Sequence, residues 1–149
     1  FCGETKKQFD NTVKLMKQVK FDMAYVAQYT PRPGTAAYKL ADNVGKPEKK
    51  KREEELMKIL RKTALEKNKE YIGKTIKVLV EGKNKRGELF GSTETAKTVK
   101  ISIRDFNRRL PRRPDYRAPR NDRLIGEFLN VKIIKAQNFG FEGEITDYE

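Results

Sequence analysis

The sequence predicts an α+β fold with three parts: a helix followed by a buried strand, a long connecting helix, and a small five-stranded antiparallel β-barrel. Two observations support this prediction. Apolar residues recur every three or four positions in the first half of the chain, and every second position from Lys74 onward. The helix and strand at the start also form only half of a βαβ unit, because the strand that would precede the helix is missing.

Residues 1–45 are predicted to form a loop, a helix, a strand and a second loop. Thr5 and Gln8 match a capping box, in which each side chain binds a free amide of the first helical turn. Four apolar residues then give a single helical stripe: Phe9, Val13, Met16 and Val19. The apolar run Phe21–Tyr29 follows, and it predicts a strand buried on both faces, as in parallel sheets.

Residues 46–71 are predicted to form the connecting helix. Pro47 suits the first turn of a helix, and Gly73 stands where a helix commonly ends. The highly charged first half has opposite charges one turn apart, which favours a solvated helix face over a basic tail.

Five short segments with alternating apolar residues predict the strands of the barrel: TIKVLVEG, ELFGSTET, KTVKISI, EFLNVKIIKAQ and FGFEGEI. Short strands with glycine-containing turns fit a closed antiparallel barrel of the oligonucleotide-binding kind. The segment 104–123 interrupts them with eight Arg, three Asp and three Pro, a net charge of +5. Proline disfavours a central strand, so this segment is predicted to be an exposed loop at the tip of a hairpin.

Composition narrows the functional classes. The net charge of +13 and the pI of about 9.8 favour a nucleic-acid partner. A single cysteine and no histidine leave too few ligands for an iron–sulfur cluster and remove the commonest general base. No apolar run is long enough to span a membrane and no signal peptide opens the chain, which predicts a cytoplasmic protein without a membrane partner. Because a segment that looks structured begins at Phe1 and not at Met, the chain is expected to be a fragment of a longer protein.

Several of these strings resemble one family. FCGET (1–5) resembles the FPGET turn, and YTPRPGT (29–35) the YSPRPGT loop, of the radical S-adenosylmethionine methylthiotransferases. Three strings resemble the TRAM domain that ends these enzymes: YIGKTIKVLVEG (71–82), ELFGSTETAKTV (88–99) and LIGEFLNVKIIKAQNFGFEGEI (124–145). The sequence Arg32-Pro33-Gly34 is closer to the branch that acts on isopentenylated adenosine in tRNA than to the branch that acts on a ribosomal protein.

The resemblance implies a domain organisation and an activity. Residues 1–45 would be the end of the radical S-adenosylmethionine α/β barrel, 46–71 the connecting helix, and 72–149 a TRAM barrel with the basic insertion 104–123. The parent enzyme would add a methylthio group to carbon 2 of isopentenylated adenosine beside the anticodon, using two 4Fe–4S clusters and S-adenosylmethionine. The cluster cysteines would lie upstream. This chain alone would therefore bind no cofactor and catalyse nothing, and its partners would be the tRNA anticodon arm and the N-terminal part of the same enzyme.

The resemblance also assigns site residues. Gly3 and Glu4 match the turn that borders the cofactor pocket, since glycine admits a ligand close to the backbone and a carboxylate can bind an amino group. An ordinary capped helix start explains the same two residues equally well. Tyr29 and Arg32 would lie at the end of a barrel strand, the face on which such barrels act. The predicted RNA contacts on the TRAM barrel are Arg86, Ser92, Thr93, Thr95 and Lys97, and those in the insertion are Arg108, Arg109, Arg112 and Arg113.

Aromatic residues of the barrel are candidates for base stacking: Phe90, Phe139 and Phe141. At least one of them is expected in the core, because alternate strand positions face inward.

The chain departs from the family at three positions. Cys2 replaces a proline, and it is interpreted as a small residue in a turn. Ser92 and Ala96 stand where the family commonly has arginine and asparagine, so an RNA contact there would be weakened and the arginine-rich insertion would compensate.

The alternative function is a stand-alone basic RNA-binding module, such as an RNA chaperone or ribosome-associated factor. Residues 1–35 discriminate between the two, because a barrel strand and loop have no use in a stand-alone module.

Overall fold

The computed structural model of this chain describes residues 1–102 and 124–147. The chain divides into two compact units, Phe1–Ala64 and Leu65–Glu149. Both helices and β-strands are present, as the α+β prediction requires. In the described ranges no helix has the length and apolar character needed to cross a membrane. The arginine-rich segment 104–123, including the four arginines predicted to bind RNA, lies outside the described residues.

Helix α1 (Lys6–Val19) begins with the predicted capping box. The Gln8 amide donates to Thr5 Oγ1 at 3.3 Å, and the Thr5 amide donates to Gln8 Oε1 at 2.8 Å. Three residues of the predicted apolar stripe are buried, namely Phe9, Val13 and Met16. The fourth, Val19, is 49% exposed at the last position of the helix, so the buried stripe covers only the first three turns.

The predicted buried strand at Phe21–Tyr29 is not formed, and this prediction was wrong. The segment has no regular secondary structure, and Tyr25 within it is 98% exposed. An apolar run becomes a buried strand only where neighbouring strands pair its backbone and cover its faces. Residues 1–64 contain no strand, so the segment follows the surface of the first unit in an irregular path.

The predicted long helix is confirmed as α2 (Lys46–Lys69), which is preceded by a short 3-10 helix at Ala36–Lys39. Leu60 and Ala64 of α2 are fully buried in the first unit. Gly73 follows the turn after α2 with a φ of +86°. Its amide donates to Ile133 O at 2.8 Å, so this glycine leads the chain into the barrel.

The second unit contains a closed five-stranded barrel, which confirms the predicted fold of this part. The strands are β1 (Thr75–Lys83), β2 (Leu89–Thr93), β3 (Thr98–Ser102), β4 (Phe128–Gln137) and β5 (Gly140–Asp147). Around the barrel they follow the order β1-β2-β3-β5-β4. Leu124, which precedes β4, and the inward-facing residues of the strands form one apolar core: Val78, Val80, Leu89, Val99, Ile101, Leu129, Val131, Ile133, Phe141 and Ile145.

The barrel is not purely antiparallel, which corrects the sequence-based prediction. Strands β3 and β5 pair in parallel, with Thr98 opposite Gly140, and the other four pairs are antiparallel. The reason is geometric: directions cannot alternate all the way around a ring with an odd number of strands. One parallel pair is therefore unavoidable, and it falls between strands whose connection is long enough for a crossover.

Gly91 is required where β1 and β2 approach most closely. A Cβ atom on Gly91 would lie 2.0 Å from the backbone oxygen of Leu79. The strand register shifts nearby, between Val80 and Gly82, so this close approach accompanies a bulge in β1.

Candidate nucleic-acid interface

A tight turn between β2 and β3 holds three of the predicted RNA contacts, Thr93, Thr95 and Lys97. The Thr93 amide donates to Lys97 O at 3.0 Å, and the Ala96 amide donates to Thr93 O at 2.9 Å. Thr93 Oγ1 accepts the Lys97 amide at 3.1 Å and lies 3.1 Å from Thr95 Oγ1. Thr95 is exposed and Thr93 half-buried. Thr93 therefore organises the turn, while Thr95 presents a hydroxyl to solvent.

The Lys97 side chain points back into its own unit. Its Nζ atom donates to Asn68 Oδ1 at 2.7 Å. It also lies over two aromatic rings, 5.3 Å from the centroid of Tyr71 and 5.7 Å from that of Phe141. An ammonium held by an amide oxygen and two ring faces is stabilised within the protein.

Asn68 ties three parts of the second unit together. It is 1% exposed, and its Nδ2 group donates to Gln137 O at 2.8 Å and to Asn138 O at 3.2 Å. Its Oδ1 atom accepts from Lys97. We call Asn68, Lys97 and these two carbonyl groups the Asn68 clamp. The clamp fixes the last turn of α2 to the β2–β3 and β4–β5 turns.

Arg86 lies in a different loop, which joins β1 to β2. Asn84 Oδ1 accepts the amides of Arg86 at 2.8 Å and Glu88 at 3.0 Å. Gly87 adopts a φ of +77° and its amide donates to Asn84 O at 2.9 Å. These bonds order the loop backbone, and the side chain of Arg86 is exposed on it, together with that of Lys85.

Ser92 faces outward from β2, but its hydroxyl is engaged. Ser92 Oγ donates to Glu81 Oε1 at 2.5 Å across the β1–β2 pair. This hydrogen bond joins the outer faces of β1 and β2.

The aromatic candidates divide as the alternation predicts. Phe141 is 1% exposed and belongs to the core, whereas Phe90 and Phe139 are half-buried. Phe128 was not among the predicted aromatic candidates, but it is 58% exposed at the start of β4 and has the Lys77 ammonium 5.5 Å from its ring centroid. The strand alternation contained the signal: Leu129 faces the core, so its neighbour faces out.

Charge is distributed unevenly over the outer face of the barrel. Glu142 lies opposite Lys100 and forms an ion pair with Lys135 at 3.6 Å, and Glu144 lies opposite Lys132. These carboxylates reduce the positive charge around β5. The outward-facing pairs between β1 and β4 are Thr75–Lys132, Lys77–Asn130 and Leu79–Phe128. On the other side of β4, Lys132 lies opposite Glu144 and Asn130 opposite Asp147.

In the first unit, Gly3 and Glu4 are both bound by side chains of the same unit. The Gly3 amide donates to Asn43 Oδ1 at 2.9 Å, and Gly3 has a φ of +73°. Arg52 Nη1 donates to Glu4 Oε2 at 2.8 Å and to Glu4 O at 3.0 Å. Arg52 also binds Glu48, whose pKa this hydrogen bond lowers.

Tyr29 and Glu4 line one cleft, whose volume is about 130 Å³. Gly3 and Arg32 do not line this cleft. The Tyr29 hydroxyl donates to Ala37 O at 2.9 Å. Burial, followed by the neighbouring Cys2, raises the pKa of this phenol. Arg32 is exposed, and its carbonyl accepts the Thr35 hydroxyl at 2.8 Å, which closes the TPRPGT turn. The structure thus brings Glu4 and Tyr29 together and leaves Arg32 outside.

Residues 69–146, more than half of the chain, match the TRAM domain family, and the chain belongs to this family. It is also similar along nearly its whole length to proteins named tRNA-2-methylthio-N(6)-dimethylallyladenosine synthase. The protein of Clostridium botulinum (strain Langeland / NCTC 10281 / Type F) is 40% identical over 147 residues, which cover 97% of this chain and 29% of the relative. The protein of Bacillus cereus (strain AH187) is 36% identical over 149 residues, which cover 99% of this chain and 26% of the relative. The predicted resemblance to the tRNA methylthiotransferases is confirmed, and the chain spans less than a third of the length of these relatives.

Proposed function

We propose that this chain is the C-terminal, tRNA-binding part of a methylthiotransferase that modifies carbon 2 of isopentenylated adenosine beside the anticodon. The observation that carries this proposal is the extent of the similarity. The TRAM family match covers residues 69–146, but the similarity to the synthases covers 147 residues and therefore includes most of the first unit. A stand-alone RNA-binding module would have no reason to share that unit with these synthases.

The barrel unit is the proposed RNA-binding part. Arg86 and Thr95 are exposed on ordered loops and are its proposed direct contacts, since a guanidinium and a hydroxyl both bind phosphate oxygens. Thr93, Lys97 and Ser92 are half-buried, unlike Arg86 and Thr95, and would hold the surface in shape through their hydrogen bonds within the unit. The arginines of the segment 104–123 are also proposed as RNA contacts, and this part of the proposal rests on the sequence alone.

The residues of this chain do not fit a 4Fe–4S cluster. Cys2 is the only cysteine of the sequence and is buried. In the described ranges, no three His, Cys, Asp or Glu side chains are placed to hold a metal. The Glu4 carboxylate and the Gly3 amide, which the resemblance assigns to S-adenosylmethionine, are occupied by Arg52 and Asn43. We propose that the upstream part of the parent enzyme holds the 4Fe–4S clusters and that Gly3 and Glu4 border its S-adenosylmethionine pocket. The parent enzyme is proposed to act in the cytoplasm.

A chimera tests this proposal. The residues of the Clostridium botulinum relative that match this chain are replaced by it, and the gene is expressed in cells that lack their own methylthiotransferase. Mass spectrometry of tRNA nucleosides is expected to detect the methylthiolated adenosine. The control is the relative truncated before the replaced residues, which is expected to lose most of its product. A folded but inactive chimera, or a fully active truncation, would contradict the proposal.

A further inference from the structure

The outer face between β1 and β4 carries an aromatic residue that the proposed contacts do not use. Phe128 is 58% exposed, and it is the most exposed large apolar residue in the described part of the barrel unit. Leu129 at the next position fills the core, so the Phe128 ring faces outward and is accessible to a binding partner.

The surroundings of Phe128 define the chemistry of that partner. Lys77 places its ammonium 5.5 Å from the ring centroid. Asn130, the next outward residue of β4, lies directly opposite Lys77 and carries both a donor and an acceptor. Leu79, opposite Phe128, is half-buried and extends the apolar surface. A flat ring, a cation and an amide together match the π-face, phosphate and polar edge of a nucleotide.

The position of Phe128 is fixed by backbone hydrogen bonds. The Gly126 amide donates to Val80 O at 2.8 Å, and the Val80 amide donates to Glu127 O at 2.9 Å. These bonds hold the residues just before β4 against β1. The ring is thus presented from a sheet and not from a free loop, which lowers the entropy lost when a base stacks on it.

We propose that Phe128, Lys77, Asn130 and Leu79, the β1–β4 platform, bind one unpaired RNA base. The base stacks on Phe128, and Lys77 contacts the adjacent phosphate. This proposal rests on the proposed RNA-binding function and adds a substrate class to it. Bases inside a duplex are stacked on each other, so the platform selects single-stranded RNA, such as an anticodon loop, over a helix.

The chain contains no tryptophan, which makes a direct test possible. Phe128→Trp introduces a single fluorescent reporter that retains a stacking face, and Ile134→Trp is its matched control. Ile134 is on the same strand and is 47% exposed, but it lies away from the platform at the irregularity between Ile133 and Lys135. A short unpaired oligoribonucleotide is expected to quench the fluorescence of Phe128→Trp and to leave that of Ile134→Trp unchanged. A duplex of the same sequence is expected to quench neither.

Affinity provides the second measurement. Phe128→Leu keeps an apolar side chain but removes the ring, and stacking is worth about 1–3 kcal/mol per base. Binding of the unpaired oligonucleotide is therefore expected to weaken roughly 5- to 150-fold, with an unchanged dependence on salt. Lys77→Gln is expected to flatten the dependence of log K on log salt by about 0.7. Thermal unfolding of each variant checks that the barrel remains folded.

The outcomes separate the two proposals. If the chain binds RNA and Phe128→Leu binds it as tightly, the platform is overturned and the face belongs to a protein contact, while the proposed function stands. Quenching of both tryptophan variants to the same extent would also overturn the platform. If the unsubstituted chain binds no RNA, the proposed function itself is contradicted.

Discussion

Lys77 and Lys97 both belong to the barrel unit but serve different purposes. Lys97 is half-buried, with its ammonium bound to Asn68 and placed over the rings of Tyr71 and Phe141. Moving that ammonium to an RNA phosphate would leave the buried Asn68 oxygen without its donor, at a cost of about 1–3 kcal/mol. Lys77 is exposed beside Phe128. Sequence alone assigns both lysines a positive charge, and only the structure shows that Lys97 is held by Asn68 while Lys77 lies beside Phe128 on the proposed β1–β4 platform.

Ala96 adopts a φ of +57°, a left-handed conformation that costs most residues about 1–2 kcal/mol. Asparagine and glycine tolerate this conformation better than alanine does. We predict that Ala96→Gly stabilises the barrel unit by about 0.5–1 kcal/mol, because the relief of strain exceeds the entropy that glycine loses on folding. Urea unfolding measures this difference.

Ala136 is the control for that substitution. It lies in β4 opposite Phe141, and its φ is not positive. Ala136→Gly is therefore expected to lower the free energy of unfolding, by about 0.5–1 kcal/mol. A loss of stability in Ala96→Gly as well would show that the left-handed turn is not strained by alanine.

Among the secondary-structure elements, those with a regular apolar pattern and clear end signals were predictable. The helix α1 follows from a capping box and an apolar stripe, and the barrel strands follow from alternation and turn glycines. Phe21–Tyr29 failed because a strand depends on partners that its own residues do not reveal. The parallel pairing of β3 and β5 follows from closure with five strands and not from either strand's sequence. Of the candidate site, the residues of the β2–β3 turn stay a prediction from sequence. Phe128 was not among the predicted residues, because its place beside Lys77 depends on the β1–β4 register, which the sequence does not reveal.

Asn68 connects elements that its sequence position does not link. Asn68→Ala removes the donor to two carbonyl groups and the acceptor of the Lys97 ammonium. We predict a decrease of about 2–3 kcal/mol in the free energy of unfolding, because buried polar groups are left unpaired. Glu66→Ala, at an exposed position of α2, is the control and is expected to change stability by less than about 0.5 kcal/mol.

A double-mutant cycle distinguishes the Asn68 clamp from a local helix effect. Lys97→Met removes the ammonium and keeps an apolar chain over the two rings. Since both residues belong to one network, the double variant is expected to lose less stability than the sum of the single variants. Additive losses would contradict the clamp as a coupled unit.

At the scale of the whole chain, the net charge of +13 is the property most relevant to tRNA binding, and the segment 104–123 holds +5 of it. Its eight arginines lack enough acidic partners within the segment, since it contains only three aspartates. Arginine binds phosphate through two parallel hydrogen bonds and also stacks on exposed bases. The segment is therefore proposed as an RNA contact, and the alternative is an insertion that only raises solubility.

Changing Arg108, Arg109, Arg112 and Arg113 together to Ala tests this proposal. The free energy of unfolding is expected to stay within about 0.5 kcal/mol, as at surface positions. Binding of tRNA is expected to weaken, and its dependence on salt to flatten by nearly one unit of slope for each phosphate that the variant no longer binds. The matched variant with four lysines keeps the positive charge, so its salt slope should be unchanged. Its affinity for tRNA should fall, because lysine cannot form the two parallel hydrogen bonds that arginine forms with a phosphate. If the alanine variant keeps both its affinity and its slope, the segment only raises solubility, and the RNA site reduces to the outer face of the barrel.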